Sequence, residues 1–176
     1  MADLIFHGRQ AICRRLMDAE VERDKLTPEQ CGDFARFAWE KGRAAALDCR
    51  AAHPGLSPTA LAERLGVPVA RRPGRSAAYS QYEEKQRQIV LFGAMVAAYA
   101  EENKRELGDL PAEEIFVAHE LFHFLECTDP AVGPTWRQRE VTVFRLGPLH
   151  LRSGVRALSE IAAHAFALTY LGLPAD

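Results

Sequence analysis

At 176 residues the chain suits one domain, or one domain with a helical extension, and is long enough to bury a real core. Aliphatic, aromatic and cysteine residues make up 48% of it, an ordinary globular level that argues against disorder. A net charge of −2 gives no basic excess that would make nucleic acid the main partner. The start, Met1 to Arg9, lacks a charged-then-apolar leader pattern, and no apolar run approaches bilayer length. The expectation is a soluble, cytoplasmic protein with no membrane contact.

Residues from about 8 to 53 read as helical, with apolar positions at helical spacing at Phe34, Phe37, Ala38, Ala45 and Leu47. Thr27-Pro28-Glu29-Gln30 has the form of a cap with proline at the first helical position, and His53-Pro54-Gly55 ends the stretch. A short helix from Ser57 and Pro58 carries Leu61 and Leu65 and stops at Gly66. Val67 to Ala70 is extended, and Arg71 to Arg75 is a basic turn. Ala77–Tyr82 and Gln88–Phe92 read as a hairpin around Glu83-Glu84-Lys85. Ala94 to Leu107 is predicted helical, and Asp109-Leu110-Pro111 opens a helix running to about Cys127. Residues 128–155 are loop-like, with strands expected at Val141–Phe144 and Leu149–Leu151. Val155 to Leu171 is the last predicted helix, closed by Gly172 and Pro174.

The four cysteines, Cys13, Cys31, Cys49 and Cys127, form no Cys-x-x-Cys pair and read as small reduced core residues. Trp39 and Trp136 read as packing residues. Ala60 to Val67 looks like the first helix of a helix-turn-helix, but Pro68, Pro73 and Gly74 leave no room for a recognition helix, so DNA binding is not expected.

The chemistry concentrates at His119-Glu120-Leu-Phe-His123, an H-E-x-x-H pattern. Residues four apart on a helix lie one turn apart on the same face, so two imidazoles can reach one metal ion. Glu120 lies beside them, placed to activate a water as general base. The other faces of this helix are apolar, through Val117, Ala118, Leu121, Phe122, Phe124 and Leu125. Such a helix should be buried, and two histidines with a glutamate buried without partners would carry a large desolvation cost. A bound cation satisfies all three.

A catalytic zinc usually has three protein ligands. On the last helix Glu160 and His164 share a face, near the small residues Ala157, Ala163 and Ala167 that permit close helix approach. Glu160 is favoured as third ligand, with His164 orienting a ligand from behind; the reverse, with His164 on the metal, stays open. Two imidazoles and a carboxylate suit Zn2+. His150 is a candidate for stabilising a developing oxyanion, as are Tyr79 and Tyr82 on the hairpin. An exposed strand edge beside the cleft would let substrate add as a strand.

The H-E-L-x-H pattern followed by Glu160, Ala163, Phe166 and Ala167 resembles the ImmA/IrrE family of zinc metallopeptidases. Leu61 to Val69 and Gln88 to Leu91 resemble its elements upstream of the motif helix, so the likeness spans roughly residues 56–176. The resemblance implies a gluzincin-type site, with His119, His123 and Glu160 on zinc and Glu120 as base. It also implies an endopeptidase cutting an intracellular protein, such as a repressor or other regulatory protein. His164 departs from the family, which more often has Asn or Asp there; the helix at 94–107 is an insertion, and the first 55 residues match nothing in it. The expected fold is α+β and zincin-like, mostly helical with a small antiparallel sheet: an N-terminal helical extension over 1–55, then the catalytic domain over 56–176. One rival reading is a non-enzymatic, metal-stabilised interaction module of a mobile-element or toxin–antitoxin-like system. Another is a hydrolase of a non-peptide amide.

Overall fold

The structure is a computed structural model and describes residues 6–175. It is a mixed α+β arrangement. The helices are α1 (Gly8–Asp18), α2 (Pro28–Ala52), α3 (Pro58–Arg64), α4 (Gly93–Glu102), α5 (Lys104–Leu107), α6 (Ala112–Thr128) and α7 (Ala157–Leu171). The strands are β1 (Val69–Arg72), β2 (Ser80–Glu83), β3 (Gln88–Phe92), β4 (Glu140–Leu146) and β5 (Leu149–Gly154). None of these helices is long and apolar enough to cross a membrane.

Local chemistry sets the helix ends. Thr27 Oγ1 accepts from the Gln30 N–H at 3.2 Å while the Gln30 side chain accepts from the Thr27 N–H at 2.9 Å, so the start of α2 has two satisfied donors. Pro28 adds a backbone already set for helix. Ser57 caps α3 in the same way. Helix α7 has no side-chain cap of its own. Its first N–H, from Ala157, donates at 2.6 Å to the buried carboxylate of Glu20, from the loop after α1. An anion there also meets the positive end of the helix dipole. Gly172, at φ 69°, closes α7 in the left-handed conformation that favours glycine.

The three-stranded sheet has the order β1-β3-β2. Strands β2 and β3 form the antiparallel hairpin read from sequence, with Tyr82 opposite Ile89, although β2 begins at Ser80 rather than Ala77 and includes Glu83. Strand β1 runs parallel to β3, with Val69 opposite Ile89, so the sheet is mixed and not the small antiparallel one expected. Ile89, Val90 and Leu91 are buried on β3, and the hairpin covers only one of its edges. The short Val-rich segment after α3 covers the other edge, and strand direction across such a pairing leaves no mark in residue pattern. The antiparallel pair β4–β5 forms a separate ribbon, with a register irregularity between Thr142 and Phe144.

Two further expectations need correction. The predicted helix 94–107 is split at Asn103, which leaves helical geometry at φ −116° while its side-chain amide and its backbone N–H both donate to the Tyr99 carbonyl at 3.0 Å. Cys127 is exposed and not a core residue; the other three cysteines are partly buried, and all four are free thiols. Burial pushes the thiols of Cys13 and Cys49 up to about 11, which keeps them protonated and unreactive at neutral pH.

Helix α7 is the centre of the molecule. Most of its residues are buried, and α2, α6 and α1 all pack on it, α2 most extensively. Ile12 and Leu16 of α1 and Ala38, Trp39 and Ala46 of α2 therefore join one core with Phe122 of α6 and Phe166 of α7. The approach of α2 to α7 is close because position 42 is glycine: a Cβ there would overlap the backbone carbonyl of Ala162. Ala162 lies two residues from Glu160, so this contact fixes the height of a candidate metal donor. Gly42→Ala is expected to force the two helices apart and cost about 3 kcal/mol, read as a lower denaturation midpoint. An unchanged midpoint would mean that α2 does not set the position of α7.

Candidate metal centre

Helix α6 brings His119 and His123 to one face, with their Nε2 atoms 3.3 Å apart. Helix α7 brings Glu160 to the same place. Its Oε2 lies 3.4 Å from His119 Nε2 and its Oε1 3.6 Å from His123 Nε2. Donors about 2.0–2.1 Å from a tetrahedral zinc stand roughly 3.4 Å from one another. The three side chains therefore already have the spacing of a zinc ligand set. Glu160 Oε2 is buried with no aligned hydrogen-bond donor, a costly arrangement for a carboxylate oxygen unless a cation satisfies it. On both counts the residues fit a zinc ion.

The electrostatics follow from the crowding. Burial alone would raise the Glu160 carboxyl, but contact with His119, reinforced by His123 and His164, holds it down to about 2. Burial alone would lower His123, but the carboxylate of Glu126, together with the charges of Glu120 and Glu160, raises it to about 9. The raised imidazole of His123 and the lowered carboxyl of Glu160 thus stabilise each other's charged forms.

His164 is buried beneath this cluster. Its Nδ1 lies 2.8 Å from the Glu160 carbonyl oxygen, which can only accept, so Nδ1 donates there and Nε2 is the nitrogen left to face the cluster. Its ring stands edge-on to His119 at 4.8 Å between centroids. His119, Glu160 and His164 each offer a donor atom within 4.8 Å of the others, so two ligand sets share His119 and Glu160. The set completed by His123 has the tighter spacing, 3.3–3.6 Å, and matches the tetrahedral edge better. His164 remains within reach as an added or alternative donor.

Glu120 is buried and held at both oxygens. Ser80 Oγ donates to Oε1 and the Tyr82 backbone N–H donates to Oε2, each at 2.7 Å. Both partners lie on β2, so the carboxylate tethers the motif helix to the edge of the sheet. Sequence reasoning did not single out Ser80, since a lone serine in a strand carries no pattern.

It also missed Glu126. This buried carboxylate accepts from the Thr135 N–H at 2.8 Å and from Ser159 Oγ at 3.0 Å, and its other oxygen lies 3.4 Å from His123 Nδ1. A carboxylate behind a histidine fixes which ring nitrogen faces the metal. The spacing His123-x-x-Glu126 was a legible signal: three residues apart on a helix lie on one face. Its charge is stabilised too: burial would raise its carboxyl, but His123 and the Thr135 N–H lower it.

The remaining sequence candidates lie elsewhere. His150 is exposed on β5 opposite Arg145, outside the donor group. Tyr79 stacks on Phe116 at 5.2 Å and meets Tyr99 edge-on, while Tyr82 lies edge-on to Phe124. Trp39 is buried, as expected of a packing residue, and Arg9 sits over its ring at 5.4 Å. Comparison with known proteins adds no name: no family model, curated protein or solved structure matches the chain.

Two outcomes follow for zinc binding. Glu126→Gln keeps the shape but loses the charge behind His123, and zinc affinity should fall about 10- to 100-fold in competition with a chromogenic chelator. Equal affinity would show that Glu126 serves packing alone. The second outcome is pH dependence. In metal-free protein the contribution of His123 to stability is complete below its ordinary 6.5 and is lost as pH rises through about 9. That of Glu160 is complete above its ordinary 4.5 and is lost as pH falls through about 2. The melting temperature of metal-free protein should therefore decline from pH 6.5 towards 9, and zinc uptake at pH 7.5 should release protons. A melting temperature that climbs over that range would contradict the pairing.

Proposed function

We propose that the chain is a zinc-dependent endopeptidase that hydrolyses a peptide bond in a protein substrate. The observation that carries this reading is the convergence of His119, His123 and Glu160 at ligand spacing, with the buried carboxylate of Glu120 next to His119 in sequence. His119, His123 and Glu160 would hold the ion, and Glu126 would keep His123 turned towards it. Bound zinc would supply Lewis acidity, polarising the scissile carbonyl and lowering the pKa of a water.

The protein's own residues account for the rest of the chemistry. A carboxylate oxygen has two lone pairs, so Glu120 can accept from Ser80 and Tyr82 and still take the proton of an attacking water. These two donors fix its orientation. Glu120 then returns the proton to the leaving amine. Strand β2 has a single strand neighbour, β3, and on its other side the Tyr82 N–H is already taken by Glu120, so a peptide adding to this edge would have to displace that bond. The choice of protein substrate rests on the resemblance noted in the sequence.

A second reading is favoured by one observation, the nearness of His164 to His119 and Glu160. Four protein donors would close the ion off from water and make it structural, as in a non-enzymatic interaction module. One experiment separates the two. Glu120→Gln should keep zinc at one ion per chain while cleavage of an unstructured protein such as casein falls about 100- to 10,000-fold. The zinc-stripped wild type should stay folded by circular dichroism, because the core does not run through the ion. Normal turnover by Glu120→Gln would remove the base, and unfolding on chelation would favour the structural reading.

A further inference from the structure

The β4–β5 ribbon has no role in the metal centre, yet it holds most of the large apolar side chains that the described residues expose. Phe144, Leu146, Leu149 and Leu151 are 52, 66, 62 and 58% exposed. Directly opposed residues of an antiparallel pair point to the same side. Phe144 opposes Leu151, and Leu146 opposes Leu149, so all four lie on one face. Arg145 opposes His150 on the other face, and Arg152, next to Leu151, falls on that face as well. The ribbon is therefore amphipathic with a period of two: leucine and phenylalanine on one side, arginine and histidine on the other. Residues 137–156 contain five arginines and one glutamate, in a chain whose net charge is −2. Arg145 and Arg152 lie on the ribbon itself, where Arg152 stands 3.9 Å from Glu140, and Arg137, Arg139 and Arg156 flank it, so the segment carries a local excess of positive charge.

This distribution restricts what can cover the apolar face. A second copy is poorly suited. The four side chains offer on the order of 100 Å² each, about half of the roughly 800 Å² that each partner buries in a stable dimer. A water-exposed face of this kind on a narrow, projecting ribbon suits a medium that deforms around it. Lipid does so, and arginine side chains are long enough to reach from the polar face to headgroup phosphates. We propose that the β4–β5 ribbon is a peripheral anchor that inserts Phe144, Leu146, Leu149 and Leu151 into an anionic lipid surface, with Arg145 and Arg152 contacting the phosphates. This inference does not depend on the peptidase reading. The sequence expectation of no membrane contact rested on apolar runs, and an eight-residue alternating ribbon produces none.

The test is co-sedimentation of the full chain with vesicles of phosphatidylcholine alone, or with about a third phosphatidylserine. Binding should appear on the anionic vesicles, weaken as salt is raised, and fall at least tenfold in Leu146→Ser/Leu149→Ser. Both leucines are exposed, so the double variant should melt like the wild type. Arg145→Gln and Arg152→Gln should each weaken binding about fivefold. Three results would overturn the proposal: no sedimentation with anionic vesicles, equal binding to both vesicle types, or undiminished binding by the leucine variant. A fourth would reassign the face to a second copy: a wild-type dimer by light scattering that the leucine variant converts to monomer, with no vesicle binding.

Discussion

Two imidazoles and a carboxylate held within 3.6 Å of one another form the constraint on which the rest of the molecule turns. Their donor atoms compete for the same small space at the edge of the core around α6 and α7, where all three residues are partly buried. Opposite charges are pressed together here, which raises His123 and lowers Glu160 against the effect of burial. Such an arrangement is unfavourable on its own and needs rigid support.

That support comes from several directions. Glu126 fastens His123 from behind and ties α6 to the Thr135 turn and to Ser159 on α7. Glu120 binds the same helix to β2 through Ser80 and Tyr82. Arg71 on β1 pairs with Glu113, and the Thr59 N–H of α3 donates to Glu114, so the first turn of α6 is held as well. On the far side α2 presses against α7 at Gly42, while Glu20 satisfies the first N–H of α7. Elements that contribute no ligand thus determine where the ligands stand.

Much of this was legible in the sequence, though unevenly. The motif helix, the cap at Thr27, the hairpin and the last helix follow from periodicity and from local cap and turn chemistry, which act over a few residues. The pairing of Glu160 with the motif histidines was legible because a glutamate and a histidine share one face of an otherwise apolar helix. What could not be read were contacts between segments far apart in the chain. The parallel partnership of β1 with β3 depends on which edge of a buried strand remains uncovered. The hold of Ser80 on Glu120 leaves no trace in residue spacing, and neither does that of Glu20 on Ala157. The break at Asn103 turned on the backbone angles of a single residue. Glu126 belongs in another class: its spacing from His123 was plain, and attention to the motif alone passed over it.

The link between Glu20 and Ala157 also bears on the order of events during synthesis. The two residues lie 137 positions apart, so the carboxylate leaves the ribosome long before the amide it will meet. The motif histidines likewise precede Glu160. An emerging chain can form α2 and α6, but it cannot complete a three-donor pocket until α7 arrives and docks. Any ion bound earlier would be held by two imidazoles alone and would exchange readily with the surroundings. Metal acquisition at the proposed site would thereby be deferred until the fold is nearly finished.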